Sequence, residues 1–220
     1  MKGLFITFEG TEGSGKSTQI SLLAERLRSL GHHVRTLREP GGTPVGEEIR
    51  HTLKHSKYNE AMTPEAELLL MNASRAQLVG EVIRPALAAG DIVLCDRFYD
   101  STIAYQGYGR QLDLKIVHSI IDAAVAKTRP NITLLLKIPH KIAEQRRLAR
   151  QPTLPLEIQR DRIEEAGQDF FKRVARGYDA IAAAEPDRVR VDDANGTVQE
   201  ISARIWKLVE PLLVKPKPAQ

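Results

Sequence analysis

The apolar and polar positions along the chain fall into two alternating kinds of segment. Short apolar or alternating runs at 4–8, 34–38, 92–95, 132–138 and 189–191 have the length and branched side chains of buried strands. Longer stretches with helical spacing lie between them, at about 16–30, 63–88, 114–127, 141–150, 161–184 and 198–213, with a shorter one near 102–106. Gly31 stops the first helix. Thr63-Pro64 reads as an N-cap followed by proline at the first helical position, where a missing N–H has no partner to lose. The stretch from Arg38 to Pro44 holds two prolines and two glycines and is expected to be a loop. Strands separated by helices predict an α/β, three-layer fold with a mostly parallel sheet of about five strands flanked by helices. With no repeat and no linker, 1–214 is expected to be a single domain. The stretch 151–160 has two prolines and no clear period, and predicts a lid over about 150–162. Residues 215–220 are too polar and proline-rich to pack and predict a disordered tail.

The composition is that of an ordinary soluble chain: 42% apolar and 27% charged among 220 residues, enough for a sizeable core. No apolar run is long enough to span a membrane, and the run ending at Phe8 is too short for a secretory signal. The single cysteine, Cys95, excludes an internal disulfide framework, so a cytoplasmic setting is expected. A net charge of +4 and a pI near 9.2 favour anionic partners. Between 137 and 176 there are ten Lys or Arg against six Asp or Glu. This run reads either as a solvated helical face or as a phosphate-facing segment. No aromatic residue alternates with its cations before Phe170, so nucleic acid is not an expected partner.

The first strand runs into Gly10-Thr11-Glu12-Gly13-Ser14-Gly15-Lys16-Ser17-Thr18, which fits G-x-x-x-x-G-K-[ST] and opens a helix. Glycines tolerate positive φ, so successive N–H groups can turn inward and, with the helix N-terminus, cradle phosphate. Lys16 is expected on the β- and γ-phosphates of a nucleotide and the Ser17 hydroxyl on Mg²⁺, making the fold P-loop NTPase-type. No guanine-reading Asn-Lys-x-Asp is present. The third strand ends Cys95-Asp96-Arg97 rather than in two acids. An arginine beside that acid, at the carboxyl end of a buried strand, points to a second anionic substrate and hence to a kinase of a phosphorylated acceptor. A surface ion pair is the alternative for these two residues.

In their order and spacing, Glu9 to Ser17, Arg38-Glu39-Pro40-Gly41-Gly42-Thr43, Ser74-Arg75-Ala76-Gln77, Asp96-Arg97-Phe98 and Ala104-Tyr105-Gln106-Gly107 resemble bacterial thymidylate kinases over nearly the whole chain. The resemblance implies phosphoryl transfer from MgATP to dTMP, in the supply of dTTP, by a homodimer. It implies that Arg38 and Arg97 hold the acceptor phosphate. Met71 and Arg75, four residues apart on one helix face, would contact thymine, although Met71 alone reads as core packing. Thr102 resembles the residue reading the base edge, with Pro40 and Gln106 beside it. Tyr105 resembles the one crowding the ribose 2′ position, and Glu12 the acid on the 3′-hydroxyl. Asp96 would orient water or Mg²⁺. Many relatives carry an arginine inside the phosphate loop; here Glu12, Gly13 and Ser14 stand there. The resemblance then implies a lid arginine as the catalytic cation, Arg150 first and Arg162 second, with Arg146 flanking the adenine. Lys137 departs from the acid usual at that strand end.

His51 and His55 share a helical spacing but lack a third ligand, so a solvated face is expected. Cys95 is expected to be a buried strand residue and Trp206 to pack the last helix. A kinase of another nucleoside monophosphate and a non-catalytic nucleotide-binding protein are the alternative functions.

Overall fold

The structure is a computed structural model describing residues 3–139, 142–143, 145–146 and 166–213. Strands β1 (Leu4–Glu9), β2 (Val34–Arg38), β3 (Ile92–Asp96), β4 (Ile132–Lys137) and β5 (Val189–Asp193) form one parallel sheet in the order β2-β3-β1-β4-β5. The helices are α1 (Lys16–Ser29), α2 (Pro44–Lys54), α3 (Pro64–Leu78), α4 (Arg84–Ala89), α5 (Tyr99–Thr102), α6 (Leu114–Val125), α7 (Gln168–Ala184) and α8 (Val198–Val209). This is the expected three-layer arrangement. Because all strands run the same way, their carboxyl ends share one edge, where open α/β sheets bind ligands.

Strand residues alternate between two cores. Ile6, Phe8, Leu94 and Leu134 point to one face and meet α1 and α8 through Leu23, Leu27, Ile201 and Ile205. Phe5, Val93, Cys95 and Leu135 point to the other and meet Leu68 of α3, Val117 and Ile121 of α6 and Val174 of α7. Helices on both faces explain why the strands read as continuous apolar runs. Phe5, Phe8 and Leu94 are wholly buried, and truncating any of them to alanine would cost about 3 kcal/mol or more. Cys95 is buried in this core, where burial holds its thiol well above the usual range and makes it a poor nucleophile. Trp206 packs α8 on the sheet, with the Arg26 guanidinium 3.7 Å from its ring centroid.

Three local features differ from the sequence pattern. A helix, α2, follows the 38–44 loop directly: Thr43 caps it by accepting from the Gly46 N–H and Pro44 opens it, the same start that Thr63 and Pro64 give α3. His51 of α2 and His55, which caps its end, stand exposed, with ring centroids 6.0 Å apart. The helix expected to about 88 is interrupted by a π turn at Val79–Ile83, just before Pro85, which has no N–H to give. The helix expected near 102–106 starts earlier, at Tyr99, and widens into a π turn over Ile103–Gly109, a device common at functional sites.

One buried polar network ties the sheet to the segment after β3. Arg188 forks onto Asp100 at 2.7 and 2.8 Å, Thr133 donates to the same carboxylate at 3.1 Å, and the Thr133 and Thr7 hydroxyls lie 2.7 Å apart. Removing one partner from such a buried pair costs about 3–5 kcal/mol. Here it anchors α5, and with it the turn that carries Arg97. The expected lid, the helix at 141–150 for the most part, the first part of that at 161–184 and the tail lie outside the described residues. Among the described residues no helix is long and apolar enough to cross a membrane.

Candidate active site

A cleft of about 360 Å³ opens at the carboxyl edge of the sheet. One wall is the loop from Gly10 to Gly15. Gly10, Gly13 and Gly15 adopt φ of 129°, 78° and 92°, where L side chains are strained. A Cβ on Gly10 would strike the Leu136 carbonyl, and one on Gly13 would lie 2.6 Å from the Ala143 carbonyl. The loop is thus pressed against the end of β4 and the turn that follows it. Lys16 Nζ donates back to the Gly10 and Thr11 carbonyls, each at 3.1 Å. Burial, reinforced by Arg97, pushes its pKa down to about 7 against the pull of Asp96, Glu9 and Glu12. A polyphosphate on the loop would restore the ammonium, since an adjacent negative charge favours the charged form.

Ser17, at the start of α1, donates to Asp96 Oδ2 at 3.1 Å; Asp96 Oδ1 is buried and meets no partner among the described residues. A hydroxyl beside a carboxylate with one idle oxygen suits a hydrated Mg²⁺, which takes one or two protein oxygens and completes its shell with water and phosphate. Among the described residues no cluster of three or more His, Cys, Asp or Glu could hold a metal ion unaided.

The residue after Asp96 turns sharply. Arg97 has φ 71°, a left-handed conformation that costs a non-glycine residue about 1–2 kcal/mol. Glu9, buried at the end of β1, offsets this cost. Its Oε1 accepts from the Phe98 N–H at 2.8 Å and the Ser101 N–H at 3.2 Å, and its Oε2 from the Ser101 hydroxyl at 2.6 Å and the Tyr178 hydroxyl at 2.8 Å. Burial, with Asp100 nearby, raises the Glu9 pKa, while Arg97 and these hydrogen bonds lower it. The Arg97 guanidinium donates to the Ser101 and Tyr178 hydroxyls at 3.0 and 3.3 Å and to the Tyr105 hydroxyl at 3.3 Å, its carbon 5.0 Å from the Tyr105 ring centroid. A buried carboxylate thus holds a permanent cation at the cleft.

Arg38 ends β2 in register with Asp96, so Arg38 and Arg97 sit on neighbouring strand ends. Arg38 pairs with Glu47 at 3.0 Å, both half exposed, and an exposed pair of this kind yields readily to an incoming phosphate. Glu47 also accepts from the Gly42 N–H at 2.7 Å. Arg50 and Lys54 of α2 line the same cleft, Arg50 donating to the Pro40 carbonyl at 2.8 Å. Met71 and Arg75 reach the cleft from α3. Arg75 is buried and largely committed: Nε and Nη2 to Glu39 Oε2 at 2.9 and 2.7 Å, Nη1 to Asn72 at 2.7 Å and Nη2 to the Phe98 carbonyl at 3.2 Å. That leaves one of its five N–H groups for a ligand. Burial pushes Glu39 up to about 7 although Arg75 pulls it down, and its Oε1 meets no partner among the described residues.

Thr102, Tyr105 and Gln106, from α5 and the π turn, form a further wall, and Glu12, Pro40 and Thr18 also reach the cleft. Gly13, Gly15, Lys16, Ser17, Asp96 and Arg97 complete the expected set lining it. Gly10, Thr11 and Ser14 belong to the loop but not to this lining, and the Ser14 hydroxyl is buried without a partner among the described residues. Arg146 donates to the Ala194 carbonyl beyond β5 at 3.1 Å. Arg150 and Arg162 lie outside the described residues. Lys137 is paired with Asp179 of α7 at 2.5 Å, so the unusual cation at that strand end has a local partner.

Several residues of the site have no part in the sequence reading. Glu39 and Phe98 line the cleft inside two of the motifs without a role assigned to them, and Ser101 lines it from between two others. Arg50 and Lys54 have a helical spacing that the Thr43-Pro44 start would have exposed. Tyr178 and Phe171 arrive from α7, and nothing local in the sequence marks them.

The sequence profile of the family described as thymidylate kinase matches residues 8–205. A thymidylate kinase of Syntrophotalea carbinolica is 50% identical over 202 residues, 92% of this chain and 93% of that protein. One from Synechococcus sp. (strain JA-2-3B'a(2-13)) is 46% identical over 210 residues, 96% of each. The crystal structure of thymidylate kinase from Ehrlichia chaffeensis superposes with a TM-score of 0.76 at 30% identity, covering 95% of this chain and 100% of that one.

Proposed function

Because the chain belongs to the thymidylate kinase family, we propose that its cleft holds ATP and dTMP with their phosphates facing and transfers the γ-phosphoryl group to dTMP, giving ADP and dTDP. The observation that carries this is the Asp96-Arg97 step. Asp96 meets the Ser17 hydroxyl of the phosphate loop at 3.1 Å, while the next residue delivers a guanidinium to the acceptor side of the same cleft. Donor phosphates and an acceptor phosphate therefore converge at one strand end.

The acceptor is a phosphate monoester, largely a dianion at neutral pH, so no strong base is required. Positioning and charge neutralisation supply most of the catalysis. The loop N–H groups and Lys16 hold the β- and γ-phosphates. Arg97, kept in place by Glu9, Ser101 and Tyr178, draws the acceptor phosphate into line, with Arg38 beside it. Ser17 and Asp96 would hold Mg²⁺, which would supply charge neutralisation to the donor phosphates. Glu12 takes the 3′-hydroxyl, Tyr105 crowds the ribose 2′ position, and Met71, Arg75, Thr102, Pro40 and Gln106 surround the base. Arg146 flanks the adenine, and a lid arginine, Arg150 before Arg162, meets the transferring group. A homodimer in the cytoplasm completes the reading. Leu69 on α3 and Ile116 on α6, 55% and 57% exposed on helices that pack together, support a contact there.

The test is ADP formation from MgATP with each deoxy- and ribonucleoside monophosphate. Turnover with dTMP well above dUMP, dCMP, dGMP and UMP is expected. Preference for another monophosphate would overturn the base-reading roles, and no turnover with any would overturn the kinase.

A further inference from the structure

Glu67 is wholly buried on α3, one helical turn before Met71 and two before Arg75, yet it stands behind the cleft rather than in its lining. Arg110 donates to it through Nε at 3.3 Å and Nη2 at 3.0 Å, and Gln106 Nε2 donates to Oε1 at 2.7 Å. Gln106 does line the cleft and is itself buried. A guanidinium keeps its charge, so the paired carboxylate acts as an acceptor only. Such a group admits only the nitrogen end of the neighbouring amide. Turning the amide over would set two oxygens 2.7 Å apart with no proton between them, an unmade buried contact of the costly kind.

We propose that Glu67, held by Arg110, is a positioning residue that fixes the Gln106 amide with its oxygen turned toward the nucleobase, so that the cleft favours a base with a ring N–H over one whose ring nitrogen is an acceptor. The inference rests on the dTMP reading and deepens it. Thymine carries a hydrogen on N3, whereas cytosine presents a lone pair there. A correctly oriented amide oxygen accepts from the first and repels the second. The buried ion pair thereby becomes part of base selection without touching the substrate.

Glu67→Gln tests this. With its oxygen on the shorter Arg110 contact, at Nη2, the new amide gives up the 3.3 Å contact with Nε and offers an N–H to Gln106, which turns over and directs its own N–H to the base. The affinity of the folded variant for dTMP, measured by calorimetry, is expected to fall about 10- to 100-fold while that for dCMP holds or rises. kcat/KM should follow the same ratio. The double variant E67Q/Q106E restores an acceptor facing the base and is expected to recover most of the dTMP preference. A merely structural glutamate would lower stability and leave the dCMP:dTMP ratio at its wild-type value. That ratio in folded E67Q would overturn the proposal. If E67Q does not fold, the double variant decides, and loss of base preference in it would overturn the proposal equally. Absence of wild-type turnover with every monophosphate would overturn the kinase instead, and the affinity ratio would still report on the clamp.

Discussion

Tyr178 donates to Glu9 at 2.8 Å, joining the helix that follows the expected lid to the last residue of the first strand. The same two groups bracket Ser101, and the Ser101 and Tyr178 hydroxyls in turn accept from the Arg97 guanidinium. Tyr178→Phe keeps the ring and its packing but removes these hydrogen bonds. It is expected to lower kcat/KM for dTMP about 10-fold, with ATP affinity little changed. Glu9→Gln should cost more, about 100-fold, since it weakens the acceptor of four donors at once. Steady-state kinetics against each substrate, with thermal unfolding as a control, check both.

Asp96 has one oxygen on Ser17 and one that meets no partner among the described residues. Asp96→Asn is expected to raise the Mg²⁺ concentration for half-maximal rate and to lower kcat by about 100-fold or more, the scale of losing a charge at a transferring phosphoryl group. Chelation of the metal should abolish turnover reversibly. A rate-against-Mg²⁺ titration reads both effects.

Glu39 supplies a pH signature. Its folded pKa is raised from 4.5 to about 7, chiefly by burial. Between those values the folded chain keeps a proton that the unfolded chain releases. Its contribution to stability is therefore complete below pH 4.5 and is lost as pH rises through 7. Urea unfolding at several pH values is expected to show this slope in the wild type and not in Glu39→Gln, with a difference of about 3 kcal/mol at most.

Gly177 allows α7 to approach the π turn: a Cβ there would lie 2.9 Å from the Tyr108 ring and 3.0 Å from the Ala104 Cα. Gly177→Ala would gain helix propensity but overpack this seam, for a net loss of about 1–2 kcal/mol. Denaturant midpoints measure it, and the displacement of Tyr178 next door should lower kcat as well.

Arg150→Ala is expected to lower kcat far more than dTMP affinity, because a lid cation would act on the transferring group rather than on bound dTMP. Calorimetry beside steady-state kinetics separates the two quantities, and unchanged kcat with impaired binding would reject the role.

The local sequence determined those parts of the molecule whose physics is local. The glycines and Lys16 announce a phosphate loop because only positive φ lets consecutive N–H groups converge. Apolar runs interleaved with helical spacing require a parallel sheet covered on both faces. The order of short motifs carried the family. The second Thr-Pro helix start, at 43–44, is equally local but stands behind a loop rich in proline and glycine, which hides the helical spacing of Arg50 and Lys54 as well. Tertiary structure decided what depends on separated segments meeting. Glu9 receives Tyr178 from 169 residues away, Arg75 is committed to Glu39 across 36, and Gln106 is oriented by Glu67 across 39. Hydrogen-bond partners at such separations leave no period and no spacing in the chain. They exist only because a parallel sheet gathers its strand ends on one edge and two helical layers bring distant side chains to meet there.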